Sequence, residues 1–293
     1  MDTPYLGMWE LMYDTIRAFL ALTEPRIEEA AREKNVPSAL YYYGELGLEI
    51  FSLANFQKRD PFSNPAQFDE QFARLVADDW IVRMNEKEFQ VTERARDAAR
   101  EMIRVGDTYL GSLELISVAD AERLKLLLLR LVHASRRAAA PPEKWAMLTR
   151  FRVADDSSPL LAQIREALMD LFAYRDDSHM SAWRGYPVSG IAWNAFGMIW
   201  NNLAFTPEHI AEQAWFRGYD ANDYRRALEE LRARGWVNVQ AQLTPIGKRL
   251  RDAVEELTDA YFYAPWLALR DDEIQELRVR LLELRNQLSN VSC

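Results

Sequence analysis

The chain has 293 residues, 49% of them hydrophobic and 28% charged, which is ample material for two globular cores and excludes a disordered polymer. Its net charge of -9 excludes a general attraction to polyanions, so any nucleic-acid contact must come from a local basic patch. The lone cysteine, Cys293, leaves no intrachain disulfide and no cysteine-rich metal site, as expected of a reducing, cytoplasmic setting.

At the N-terminus, Asp2 stands where a secretory signal would carry positive charge. Helical period then dominates. Helices are expected at about 8–22, 24–34, 37–56, 66–79, 92–105 and 118–139, then at 158–174, 188–203, 207–217, 221–234, 245–263 and 271–289. Ser158-Pro159, Thr206-Pro207 and Thr244-Pro245 each place a capping hydroxyl before a proline suited to a first helical turn. Strand signals are confined to 80–84, 88–91, 236–239 and 241–243. The longest apolar run, 126–132, is broken by Arg130 and is too short to span a bilayer, so no membrane partner is expected. "AAAPPEKWAMLTRFRVADDSS", 138–158, reads as a linker between an N-terminal region, 1–139, and a second region, 158–293.

An internal repeat organises this pattern. "FDEQFARLVADDWIVRMNEKEFQVTERARDAAREM" (68–102) aligns with "YRRALEELRARGWVNVQAQLTPIGKRLRDAVEEL" (224–257). Phe68 pairs with Tyr224, Phe72 with Leu228, Leu75 with Leu231, Trp80 with Trp236, and Thr92 with Thr244. Helix, tight turn, two short β-stretches and helix is the order of a winged helix. The pattern therefore predicts a mainly α fold with duplicated winged-helix modules at about 52–104 and 206–263, joined by long helices and carrying small two-stranded β wings. The alternative is two amphipathic helices that merely end in similar turns.

The second half resembles the SalK-like family of helix-turn-helix proteins, related to MarR-type regulators. The matching stretches are "RDDSHMSAW" (175–183), "WFRGYDANDYRRALEELRARGWV" (215–237) and "LTPIGKRLRDAVEELTDAYFYAPW" (243–266), with "KRDPFSNPAQFDEQFARLVADDWI" (58–81) similar to the family's first helix-turn-helix. Arg175, Asp177 and His179 fit the family's Arg-Gly-Asp-x-His pattern, while Asp176 replaces its glycine. The resemblance implies architecture and double-stranded DNA as a partner, and says little about chemistry.

DNA reading depends on the outward face of each recognition helix. In the second module Tyr224, Leu228 and Leu231 form the buried stripe and Asn222, Arg226, Glu229 and Ala233 face away, flanked by Arg225. Asn222, Arg225 and Arg226 are thus the candidate DNA contacts, since Asn and Arg form bidentate bonds to adenine and guanine. In the first module the outward residues are Asp69, Glu70, Ala73 and Ala77, of which the two adjacent carboxylates repel phosphates. Residues 52–104 carry nine Lys/Arg against ten Asp/Glu and 206–263 eight against ten, whereas DNA-binding domains are usually net basic.

A second candidate site gathers Arg175, Asp177, His179 and Trp183, with Trp193 and Trp200 from "GIAWNAFGMIWNN". One reading has Asp177 orienting His179 toward a cleft lined by these rings, as a small-molecule or enzymatic site or the sensor of a hydrophobic or aromatic ligand. The other has a helix C-terminus with its cations near the dipole and the tryptophans as core. His133, His179 and His209 lack metal-ligand spacing, and no phosphate loop or dinucleotide fingerprint occurs, so neither a metal nor a cofactor is expected. Finally, Ile274, Leu277, Leu281, Leu284 and Leu288 have the a/d spacing of a coiled-coil seam. Two heptads alone fit docking on their own chain as well as pairing with a second copy. Because the MarR-type regulators that the chain resembles are dimers, a homodimer in which this terminal helix takes part is expected.

Overall fold

A computed structural model describes residues 4–42 and 50–291. It is mainly α. The order is α1 (Met8–Glu33), α2 (Ser38–Tyr42), β1 (Ile50–Phe51), α3 (Leu53–Arg59), α4 (Pro65–Ala77), β2 (Ile81–Arg83), β3 (Phe89–Val91), α5 (Glu93–Gly111), α6 (Val118–Arg137) and α7 (Trp145–Thr149). Then come α8 (Leu160–Trp183), α9 (Gly190–Trp200), α10 (Pro207–Gln213), α11 (Ala221–Ala233), α12 (Pro245–Tyr263) and α13 (Asp271–Val291). The three short strands form one sheet in the order β1-β3-β2. Among the described residues no helix is long and apolar enough to cross a membrane.

The chain divides into two compact units, and the division is not the expected one near 139–158. One unit holds Met1–Ile50, Val91–Asp177 and Tyr261–Cys293, and the other Phe51–Gln90 and Ser178–Ala260. Both expected modules therefore contribute their recognition-like helices to the second unit. The expected linker at 138–158 lies wholly in the first unit and contains α7.

The first unit is built on α1, which packs against α5 and α13. The expected break at Thr23–Pro25 does not occur. Pro25 removes one backbone N–H, a loss that usually ends or kinks a helix. Here Ile16, Phe19 and Leu22 before it and Ile27 and Ala31 after it are all buried, so burial on both sides of the proline keeps the two stretches in one helix. The expected helix at 37–56 is also corrected in part: Ile50–Phe51 is a strand, and a new helix starts at Leu53 because the Ser52 hydroxyl accepts from Asn55 N–H at 3.2 Å. The rest of that stretch, 43–49, lies outside the described residues.

α13 carries Ile274, Leu277, Leu281, Leu284 and Leu288 at 0% exposure, within the core cluster that includes Met8, Met12, Phe19 and Leu128. The a/d seam is used up on its own chain, so a homodimer that pairs two chains through these leucines is corrected. The first turn of α13 is pinned as well. Glu273 accepts from Arg130 Nη1 at 2.5 Å and from the Arg270 backbone N–H at 3.0 Å. The hydrogen bond from Arg130, followed by that backbone N–H, holds the Glu273 carboxyl down to about 2, against an ordinary 4.5. A depressed folded-state value contributes stability that is present above 4.5 and is lost as the pH falls toward 2. Glu273→Gln should accordingly lower the melting temperature at neutral pH and flatten its fall across that acid window. Thermal unfolding by circular dichroism across the window checks this; parallel pH curves for the two proteins would contradict it.

The second unit has two cores in sequence order. Phe51, Phe56, Phe68, Phe72 and Phe89 meet edge-on or tilted, with centroids 5.1–6.0 Å apart across the Phe51–Phe56 and Phe51–Phe72 pairs. The other core joins Trp183, Trp193, Phe196, Ile210, Tyr224, Leu228, Leu231 and Trp236. The second wing is smaller than expected. In place of two strands there is an isolated bridge, Val237 to Leu243, closed by a turn with Ala241 at φ 54°.

Candidate nucleic-acid interface

The α10–α11 pair is a helix-turn-helix. Thr206 caps α10 by accepting from His209 N–H at 3.2 Å, with Pro207 in the first turn. A 3-10 turn, Trp215–Arg217, leads to Gly218 at φ 71°, a left-handed conformation that favours glycine. α11 then opens with a capping box: Asp223 N–H donates to Asp220 at 2.9 Å and Asp220 N–H donates back to Asp223 at 3.0 Å. The Asp223 N–H, with that of Asn222, holds the Asp220 carboxyl below the usual carboxylate range.

α11 presents the expected faces. Tyr224, Ala227, Leu228 and Leu231 are buried, packed on α9 and α10, and Tyr224 OH donates to Asn194 Oδ1 at 3.2 Å. Burial pushes the Tyr224 phenol up to about 12, so it stays a neutral donor. Asn222, Arg225, Arg226, Glu229 and Ala233 are exposed or half-buried. Their charges are partly committed. Arg225 pairs with Glu208 at 2.9 Å and also reaches Asn222, while Arg226 pairs with Asp223. Such exposed pairs contribute about 0–1 kcal/mol each, little enough for a phosphate or base to displace them. Arg232 and Arg234 are held differently. Arg232 donates to the wing carbonyls of Asn238 and Val239 at 3.3 Å each, and Arg234 pairs with Glu230 at 3.1 Å while lying over Trp236. The positive character of this face rests on Arg225 and Arg226.

In the first module Asp69, Glu70, Ala73 and Ala77 of α4 are exposed, as expected. The start of α4 is covered by the turn between α10 and α11, a contact that sequence pattern alone does not reveal. Asn64 N–H donates to Arg217 O at 2.8 Å, Asn64 Nδ2 to Gly218 O at 2.9 Å and Gln67 Nε2 to Phe216 O at 3.2 Å. Arg217 also reaches back to Asp60 at 2.5 Å. The end of α4 that would enter a groove is thus occupied by protein.

The RDDSH segment is placed differently from either reading. It is not at a helix end, because α8 runs on to Trp183. Asp177 does not orient His179, since residues two apart on a helix point about 200° away from each other. Asp177 instead accepts from Ala146 N–H at 2.8 Å and Met147 N–H at 2.9 Å, capping α7. Arg175 lies over the rings of Trp9 and Phe262 at 5.2 and 5.3 Å. His179 belongs with the second unit: Trp193 Nε1 donates to its Nε2 at 3.3 Å, and Thr258 Oγ1 and Glu255 Oε1 lie 3.4 and 3.7 Å from its Nδ1. Trp183 stacks on Trp193 with centroids 5.2 Å apart. Trp200 Nε1 donates to Asp252 at 2.9 Å, and Arg251 lies over both Trp193 and Trp200. Four of the six, His179, Trp183, Trp193 and Trp200, thus gather around the Trp193 ring and Arg251 in the second unit, while Arg175 and Asp177 belong to the first.

Sequence reasoning missed the charges inside the first unit. Arg150, Arg165, Glu166 and Asp170 are buried. The signal was present: "QIREALMDLF" (163–172) carries three charges within an otherwise apolar helical stretch.

Residues 152–292 match the profile of a helix-turn-helix family, a span that includes α10, α11 and the second wing. The chain matches no curated protein and no solved structure.

Proposed function

We propose that this protein is a ligand-responsive, MarR-like winged-helix transcription regulator whose DNA contact is made by the exposed face of α11. The observation that carries the reading is a capped helix within the matched span, presenting Asn222, Arg225 and Arg226 at the end that a recognition helix inserts first. Several equivalences support the module as one of a duplicated pair. Trp80 N–H donates to Leu75 O at 2.9 Å and Trp236 N–H to Leu231 O at 3.0 Å. Asp79 and Gly235 precede these tryptophans with φ of 58° and 70°. Thr92 and Thr244 each cap the following helix by accepting from the N–H three residues on. The first copy has kept the shape without a basic reading face. Two chains on a palindromic site complete the proposal, and they meet through a surface other than the α13 seam.

Arg226→Ala and Asn222→Ala should each reduce specific affinity by about 1–3 kcal/mol, while Glu70→Ala leaves it unchanged. Electrophoretic mobility shift on the promoter of its own operon and on sheared genomic fragments, at low salt, provides the measurement. Absence of retardation for every fragment would remove the DNA reading.

A further inference from the structure

The first unit contains a cavity of about 350 Å³, near the small end of the range of roughly 300–1,000 Å³ in which proteins hold organic ligands. Its walls are apolar, with Ile16, Leu20, Ile27, Ile103, Val153 and Phe172 among them. Exposed Tyr13, Arg17, Glu24 and Glu28 also line it, placing a polar rim toward solvent. Its inner end is different in kind. Arg150, Arg165 and Glu166 line it while exposing only 8%, 7% and 2% of their surface.

The charges around that inner end are unequal. Arg136, Arg150, Arg152 and Arg165 pair with three carboxylates, Asp107, Glu166 and Asp170. Glu166 is committed: it accepts from Arg150 Nη2 at 2.6 Å and from Ala154 N–H at 3.3 Å. Arg165 is held less well. Its Nη2 lies 2.8 Å from Asp107 Oδ1, yet both Asp107 oxygens and the Nε atoms of Arg165 and Arg150 lack a hydrogen-bond partner. Buried guanidinium N–H groups without acceptors are costly unless something else supplies the oxygen.

We propose that this cavity binds a small amphiphilic organic acid, its carboxylate taken by Arg165 with Arg150 behind it and its apolar body held between α1, α5 and α8. At the inner end two arginines, Arg150 and Arg165, line the cavity against one carboxylate, Glu166, with Glu24 and Glu28 out at the exposed rim. An anion answers that local imbalance, and a planar carboxylate matches the fork of a guanidinium. Burial pushes the Asp107 carboxyl above its usual range, so this acid is readily neutralised when a ligand carboxylate takes over its arginine. The site supplies the ligand that the regulator reading calls for, and rests on that reading only for the consequence of binding.

The test is titration calorimetry of the full chain, without DNA, using 1-naphthoate and its neutral isostere 1-naphthamide. The acid should bind saturably and at least about tenfold more tightly than the amide. Val153→Trp, which fills the wall, should abolish binding of both. Asp107→Asn should strengthen naphthoate binding several-fold by releasing Arg165, a gain that a purely structural ion pair would not produce. Arg165→Met should bring the acid down to the level of the amide; should that variant not fold, the Asp107→Asn and Val153→Trp results decide. Equal affinities for acid and amide, no saturable heat, or binding indifferent to Val153→Trp would each overturn the proposal. Because no DNA is present, such a failure leaves the α11 reading standing, and a failed mobility shift leaves this one standing.

Discussion

Arg150→Met should destabilise the first unit by about 3–5 kcal/mol, the loss expected when one member of a buried ion cluster is removed and its partners stay behind. Arg150 reaches Glu166 with both terminal nitrogens and lies 3.2 Å from Asp170 Oδ1. The three side chains are 4%, 3% and 0% exposed. Methionine of similar length would fill the space and leave Glu166 and Asp170 with only the longer contacts to Arg136, Arg152 and Arg165, at 3.3–3.9 Å. The pH dependence has a definite sign. Burial already raises the Asp170 carboxyl above its ordinary value, against the pull of Arg150 and Arg152. Removing Arg150 raises it further, so the folded state of the variant takes up a proton more readily than the unfolded chain. The destabilisation should therefore shrink as the pH is lowered through the carboxylate range, and grow again toward neutrality. Urea unfolding of both proteins at neutral and mildly acid pH measures this. A loss that is the same at both values would mean that packing, rather than uncompensated charge, is what Arg150 supplies.

Removal of α13 should unfold the first unit. The five leucine and isoleucine positions of its seam are fully buried, and α1 and α6 pack on it. Even one truncation, Leu281→Ala, should cost about 2–5 kcal/mol, as expected for a fully buried leucine that leaves a cavity. Deleting 271–293 also strips partners from Arg123 and Arg130, which bind Glu276 and Glu273. The measurements are circular dichroism for folding and light scattering for mass, on the intact chain, on Leu281→Ala and on a chain ending at Arg270. If the shortened chain melts as cooperatively as the intact one and only its mass changes, α13 is an assembly element and the intramolecular seam is wrong.

How far the sequence carried depended on whether an interaction partner was close along the chain. Thr206 and Thr244 cap as expected, because an N-cap needs only the backbone N–H three residues on. The buried stripe of Tyr224, Leu228 and Leu231 was legible for a similar reason: helical period places them on one face wherever the helix docks. The outward set Asn222, Arg225 and Arg226 follows by subtraction, so local pattern alone defines nearly all of the candidate interface.

What only the tertiary structure decided is where distant partners enter. α8 continues through its charged RDDSH stretch because Asp177 meets the start of α7, about thirty residues earlier, and Arg175 meets rings of α1 and α12. No local pattern distinguishes that from a helix end. The a/d spacing of α13 is the same whether the facing helix belongs to this chain or another, and only the placement of α1 and α6 resolved it. The buried arginines show the limit most clearly. Their charge was readable and their burial was not, because burial is set by three segments that converge from positions near 16, 103 and 165. By itself, then, the sequence determined most of the helices, the caps of α10 and α12 and the outward face of α11. The choice among long-range partners, which created the cavity and closed the seam, belongs to the fold, since those energies depend on distances that no local period encodes.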